Sequence, residues 1–419
     1  MNALTIKDYV NIVGVQSMEG KKVVVRADLN CPLDASGKVT DISRLIASLP
    51  TILYLTEELH AKVIIASHFG RPKGEYNAEF SLLPVAAKLS EVLGHMVMFP
   101  GEVFGDNTKK LISKMKKGNV LMLENLRFEP GEEANNSGFA QLLAGLSDGL
   151  LVNDAFGMVH RPAASTKGVA NYIPCVAGLL LEKEINSLQK VLKSPAEPVV
   201  AVLGGGPKIS EKIQVIEKLM ETVACFIFGG AMANTFLKAV YGNIGNSIYQ
   251  PEKLEVAKKI LEIAKAKGIE ICLPTDVRVV MQDGKEYYGC HEILIVPCDC
   301  IPDGCYIVDI GFQSMLTFES KIKSGKTIVW NGPMGKYEVP PFNIGTQSVA
   351  RAIAASNAFS IVGGGHSNDA VRKLGLQDKF GCVSTGGGAM LQYFKGANLP
   401  GIDCLWDAKK FLMWSTLQM

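Results

Sequence analysis

Strong net charge is missing from this chain: 43 lysines and arginines stand against 41 aspartates and glutamates, a formal +2 over 419 residues. That balance excludes binding to nucleic acid or a membrane surface through bulk charge. Also missing is any run near the ~18 uninterrupted apolar residues of a transmembrane helix. The opening MNALTIKDYV carries Lys7 and Asp8 where a secretory signal would have its apolar stretch. The expectation is a soluble, cytoplasmic protein with neither nucleic acid nor membrane as partner. The ten cysteines contain no C-x-x-C pair, so the cluster Cys290, Cys298, Cys300 and Cys305 matches zinc spacing poorly. Cys225 and Cys272 lie inside apolar runs, as reduced, buried thiols do. Low-complexity linkers and short repeats are absent as well.

What is present is a 47% hydrophobic content, enough for large cores, in a length that predicts two domains at ~100–200 residues each. Short β-branched runs alternate with amphipathic stretches throughout, the pattern of parallel sheets covered by helices. The fold class expected is α/β, with two doubly wound parallel-sheet (Rossmann-like) lobes joined by a connecting helix and hinge. LLLEKEINSLQKVL, from Leu179, reads as that helix. The boundaries expected are 1–181 for the first lobe, 182–401 for the second and 402–419 for a tail. That tail is rich enough in apolar residues to pack back on the body and bridge to the first lobe.

In the first half, cations and a histidine follow successive strands. Val23 to Leu29 leads to Asp28 and Asn30, with Arg26 on the same face by the two-residue period. Arg44 follows early in a helix that Thr40 or Asp41 can cap. Val63 to Ala66 leads to His68 and Arg71, Val120 to Leu123 to Arg127, and Gly149 to Val152 to His160 and Arg161. Open α/β sheets bind ligands at the C-terminal ends of their strands. Singly, each residue has an ordinary structural explanation, but four strands delivering cations to one edge describe a basket for a small polyanion.

In the second half the strand exits change from arginines to glycines: LGGGPK, FGGAMAN, DIGF, WNGPMGKYE, VGGGHS and STGGGAM. Val199 to Leu203 reads as a strand, Gly204 to Gly206 as a turn, and Ile209, Ile213 and Ile216 as the start of a helix, with Lys208 and Lys212 one turn apart. Backbone N–H groups, a helix N-terminus and two ammonium groups make an anion seat. Asn331 and Glu338, in a loop stiffened by Pro333, Pro340 and Pro341, suit a ribose and base. SGKT at Ser324 to Thr327 is not a Walker A loop: Ser320 stands at its first glycine position, and it precedes a strand instead of following one. Gln282 to Pro297 reads as a hairpin or surface excursion.

Taken together, VRADLNCP, SHFGRPKG, LENLRF, VNDAFGMVHR, LGGGPKISEK, FGGAMANTFLKA, IVWNGPMGKYEVPPF and STGGGAMLQY resemble the phosphoglycerate kinase family, in order and over essentially the whole chain. The resemblance implies a glycolytic phosphotransferase with a carboxyl group as acceptor. It would act as a monomer with Mg2+, transferring a phosphoryl group reversibly and in line from 1,3-bisphosphoglycerate to MgADP as the two lobes close on their hinge. It carries the 3-phosphoglycerate contacts onto Asp28, Asn30, Arg44, His68, Arg71, Arg127 and Arg161. The nucleotide contacts fall on Gly205, Gly206, Lys208, Lys212, Gly230, Asn331, Glu338, Gly364, Gly365, His366 and Ser367. Gly387 and Gly388 fall beside the transferred phosphoryl, and Arg44, Lys208 and Gly365 take the catalytic positions.

Four positions depart from the family pattern. His366 and Ser367 stand where an aspartate, the usual magnesium ligand, and a threonine are common, and Asp369 is the nearby carboxylate that could serve instead. GGGPK carries one residue more than the usual GGAK, Ala231 replaces a glycine, and Ala163 replaces the second histidine of HRxH. His366 is the feature that favours the alternative reading, a catalytically weakened member acting as a nucleotide-binding or interaction protein.

Overall fold

The computed structural model describes residues 3–206, 209–281 and 293–418. Lys208 and residues 282–292 of the expected hairpin lie outside them. Packing separates the chain into two units, Met1–Asn186 with Asn398–Met419, and Ser187–Ala397.

The first unit holds β1 (Lys22–Arg26), β2 (Lys62–Ala66), β3 (Val97–Met98), β4 (Val120–Met122), β5 (Leu151–Asn153) and β6 (Cys175–Ala177). They form one parallel sheet in the order β3-β4-β2-β1-β5-β6. Its central strands are covered on both faces, which is why KVVVR and KVIIA read as continuous apolar runs and do not alternate. β1 lies between β2 and β5, so the connections wind away in both directions and open a crevice at the C-terminal ends of β1 and β5.

The first strand is shorter than Val23 to Leu29. Ala27 N still bonds Ala66 O at 3.1 Å, but Leu29 N turns to Ser67 Oγ at 3.0 Å and the chain leaves the ladder. Arg26 is accordingly not presented with Asp28 and Asn30. It is fully buried, donating to Ser165 Oγ at 2.7 Å and lying 3.8 Å from Glu132 Oε1.

The segment after Pro400 packs within this unit. Leu4 N donates to Trp406 O (2.8 Å), Trp406 N to Cys175 O (2.9 Å) and the Trp406 indole to Ala170 O (2.8 Å). The helix Leu179–Lys193 is continuous across the division between units. Its start is held by first-unit side chains: Thr51 Oγ1 accepts from Leu179 N, and Asp154 Oδ1 from Leu180 N and Leu181 N.

The second unit repeats the architecture with β7 (Val199–Leu203), β8 (Cys225–Phe228) and β9 (Glu270–Cys272). Then come β10 (Asp276–Met281), β11 (Ile293–Pro297), β12 (Cys305–Ile310), β13 (Thr327–Asn331), β14 (Phe359–Gly363) and β15 (Cys382–Val383). Six of these make a parallel sheet in the order β15-β14-β13-β7-β8-β9, with its switch point between β7 and β13. β11-β10-β12 form a separate antiparallel sheet, in which β11, the described end of the expected hairpin, pairs with β10. Trp330, Phe318, Ile227 and Val362 anchor the main core on one face of the large sheet. Among the described residues no helix is long and apolar enough to cross a membrane.

Candidate active site

In the first unit, the predicted basket residues gather around the ends of β1 and β2. Asp28 is 7% exposed and ion-pairs with Arg44, whose helix begins at Ser43 with Asp41 Oδ1 accepting from Ser43 N (2.8 Å). His68 is buried, with Nδ1 4.0 Å from Asp28 Oδ1. Asn30 Oδ1 accepts from Gly70 N at 3.1 Å, and Arg127 donates to Gly70 O at 2.7 Å, so one short loop is pinned from two strand exits. Arg127 also sits 3.2 Å from Glu133, while Arg161 is exposed and donates to His160 at 3.3 Å. Arg71, exposed beside Gly70, makes no ion pair among the described residues. Ala163 is buried against the fold at its position in the last loop.

The electrostatics follow from this crowding. Burial pulls His68 down to about 3, and Arg26, Arg127 and Arg44 push the same way, so its imidazole is neutral near pH 7. Burial works to raise Asp28, but His68, Arg44 and Arg26 outweigh it and hold the carboxyl below its ordinary value. With His68 neutral, the arginines sustain that charge. Arg44 thus stands beside Asp28 and Arg127 beside Glu133, with Arg71 and Arg161 exposed at the neighbouring strand exits, a set of guanidinium groups suited to a ligand bearing more than one negative charge.

The second unit contains a cavity of about 660 Å3 whose walls include Ile248, Tyr306, Val308, Pro333 and Val339, with Glu338 and His366 at its rim. Ile248, Tyr306 and Val308 were not singled out in the sequence, because apolar residues of a strand and a loop carry no chemical signature. Three glycine loops of this unit feed helix N-termini: Gly230–Tyr241 after β8 and Gly365–Lys373 after β14, whose first turns reach the cavity wall, and Gly387–Phe394 after β15. Each presents the positive end of a helix dipole; in the first, Gly230 N already donates to Met334 O (2.8 Å) and Met232 N to Gly205 O (3.2 Å). Glycine is required at Gly230, where φ is +61° and a Cβ would lie 2.7 Å from Gly205 N. It is required at Gly387 too, where a Cβ would lie 2.7 Å from Gly364 N; Gly206, Gly365 and Gly388 have open space there instead.

Lys212 precedes the helix Ile213–Leu219, after a 3-10 turn over Ile209–Glu211 where the sequence predicted one unbroken helix. Its Nζ reaches back to Gly204 O (2.5 Å) and Asn331 O (3.1 Å), bridging the exits of β7 and β13 at the switch point. Burial pulls its ammonium down to about 8.

Two predicted nucleotide residues instead hold loops together. Asn331 is buried and donates from Nδ2 to Gly363 O at 2.7 Å, and Ser367, fully buried, accepts from Gly332 N at 2.8 Å. Both engage backbone because the exits of β13 and β14 are adjacent and their polar groups would otherwise be unsatisfied. His366 Nε2 lies 3.1 Å from Glu338 Oε1, both half exposed. Asp369 is fully engaged: Tyr337 donates to Oδ2 at 2.9 Å, Lys373 lies 2.8 Å away and Arg372 binds Oδ1. For magnesium this donor set fits poorly, since imidazole is a weak ligand for a hard cation and the alternative carboxylate already holds two cations.

The family model for phosphoglycerate kinase matches residues 13–397. Among solved structures, phosphoglycerate kinase from Coxiella burnetii is 37% identical, with a TM-score of 0.81 over 96% of this chain and 98% of that one. Phosphoglycerate kinase from Pyrococcus horikoshii OT3 is 32% identical, with a TM-score of 0.82 over the same shares.

Proposed function

The chain belongs to the phosphoglycerate kinase family, and we propose how its residues serve that family's reaction, the reversible transfer of a phosphoryl group from 1,3-bisphosphoglycerate to ADP. It is a phosphotransferase whose acceptor in the reverse direction is a carboxyl group. The first unit's basket takes 3-phosphoglycerate: Arg71, Arg127 and Arg161 face its phosphate and carboxylate, and Asp28, Asn30 and neutral His68 face its hydroxyl and backbone. The second unit's cavity takes the base and ribose of ADP or ATP, with Glu338 at its rim. Lys212, Lys208, the glycine turn at Gly205 and Gly206, and the loop at Gly364 and Gly365 take its phosphates.

The observation that carries the nucleotide assignment is that one apolar-walled cavity is lined by the glycine turn Gly205–Gly206 and by the first residues of two helices, Gly230–Tyr241 and Gly365–Lys373. Apolar walls suit a base, and backbone donors suit phosphates.

The chemistry requires no general base. In the direction of 1,3-bisphosphoglycerate synthesis the nucleophile is a carboxylate, already ionised at neutral pH, so catalysis rests on positioning and charge neutralisation. Arg44 is suited to the charge on the phosphoryl in transit, because its side chain is only 31% exposed and already faces the substrate crevice through Asp28. In the second unit, the backbone at Gly387 and Gly388 is suited to the transferred phosphoryl group. Magnesium enters with the nucleotide as MgADP or MgATP. A cytoplasmic location and action as a monomer belong to the same proposal.

A coupled assay with 3-phosphoglycerate and ATP, titrating magnesium and manganese, tests this reading. Turnover that depends on both substrates supports it. Retained nucleotide binding without turnover at any metal concentration would instead indicate a family member that has given up catalysis.

A further inference from the structure

At the end of the second unit's sheet remote from the glycine loops, three potential metal ligands meet. Cys225 opens β8 and Glu270 opens β9, and they pair across the parallel ladder; Cys272 lies two residues further on β9, on the same face. The two thiols are buried and the carboxylate is exposed. The sulfurs are 3.7 Å apart, Cys272 Sγ is 3.6 Å from Glu270 Oε1, and all three ligand atoms lie within 4.8 Å of one another.

These separations can be compared with a coordination sphere. With Zn–S of about 2.3 Å and Zn–O of about 2.0 Å at tetrahedral angles, the S–S edge is about 3.8 Å and the S–O edge about 3.5 Å. We propose that Cys225, Cys272 and Glu270 form a site for a thiophilic divalent cation of the zinc class, with its fourth position open to solvent beside Glu270.

Charge supports the assignment. Binding releases one proton from each thiol, and two thiolates, one carboxylate and a divalent cation sum to −1. Lys321, 2.7 Å from Glu270 Oε1, brings the cluster to neutrality, so no net charge is left at the edge of the core formed with Phe318 and Ile322. β9 is the edge strand of its sheet, and a metal joining it to β8 would clip that edge in place.

The test uses the reduced full-length protein titrated with zinc against a chromophoric chelator, and with cobalt(II) as a spectroscopic probe. One equivalent should bind with a thiolate-to-cobalt charge-transfer band, and zinc should raise the melting temperature. C225S and C272S should each weaken zinc by more than the roughly 10–100-fold that changes outside the coordination sphere cost, and remove or shift the band. E270Q, a surface change that leaves both thiols in place, should weaken binding while keeping the band. C300S, at an exposed thiol outside the cluster, should change nothing. The proposal is overturned if no band forms, or if the band and affinity survive in C225S and C272S variants that melt like the wild type without metal.

Discussion

His366 Nε2 and Glu338 Oε1 lie 3.1 Å apart at the rim of the nucleotide cavity, a contact that ties the helix after β14 to the proline-stiffened loop after β13. An aspartate at 366 would instead place two carboxylates there. H366D should therefore lower the magnesium concentration for half-maximal turnover by about tenfold, equivalent to ~1.4 kcal/mol, because hard cations favour oxygen ligands. Magnesium titrations of wild type and variant check this, and identical curves would show that the loop does not handle the metal.

Lys212 supports two predictions. K212A should weaken ADP roughly 10–100-fold, the size of a lost hydrogen bond between charged groups. In the free protein the ammonium begins to lose its proton near pH 8, whereas phosphates require the charged form. ADP affinity should thus fall above about pH 8, by up to tenfold per unit, and K212R should flatten the profile. Calorimetric titration across that range decides the matter; a wild-type profile flat to about pH 10 would contradict it.

Arg44 should act mainly on the transition state. R44A should lower kcat by about 10²–10³-fold while ADP affinity changes little. Steady-state kinetics beside a direct ADP binding measurement separate these effects. A comparable loss of ADP binding would remove Arg44 from the phosphoryl-transfer role.

Gly387 and Gly388 separate packing from chemistry. G387A drives a Cβ to 2.7 Å from Gly364 N, so stability and activity should fall together. G388A meets nothing within 4 Å and should melt like the wild type, yet lose activity if the phosphoryl passes close to that backbone. Thermal melts and kcat for both variants provide the comparison, and full activity in G388A would clear that path.

Asp309 links stability to pH. Its side chain accepts from Gly345 N at 2.8 Å and Ile310 N at 2.9 Å, yet burial raises its carboxyl to about 7. A folded-state value above the unfolded one means that the contribution is complete below about pH 4 and is lost as pH rises through 7, by at most about 4 kcal/mol. Urea unfolding at about pH 5 and about pH 8 should show this decline in the wild type and a smaller one in D309N. Equal slopes would exclude Asp309 as its source.

The sequence by itself determined the two doubly wound sheets, because continuous β-branched runs such as KVVVR, KVIIA and VVAVL are stable only when both faces are covered. It determined that arginines edge one sheet and glycines the other, because the C-terminal ends of parallel strands share one edge and the residues after each strand can be read in order. Tertiary structure decided which of those residues face a ligand. Asn331 and Ser367 turned inward because two neighbouring strand exits needed their polar groups, and Arg26 lies buried between Glu132, more than a hundred residues away, and His68 at the base of the crevice. The apolar walls of the cavity and the meeting of Cys225 with Cys272 were invisible for the same reason. Contacts between strands distant in sequence depend on sheet order and register, and sheet order and register are fixed by packing, whereas local propensity and spacing reach only a few residues along the chain.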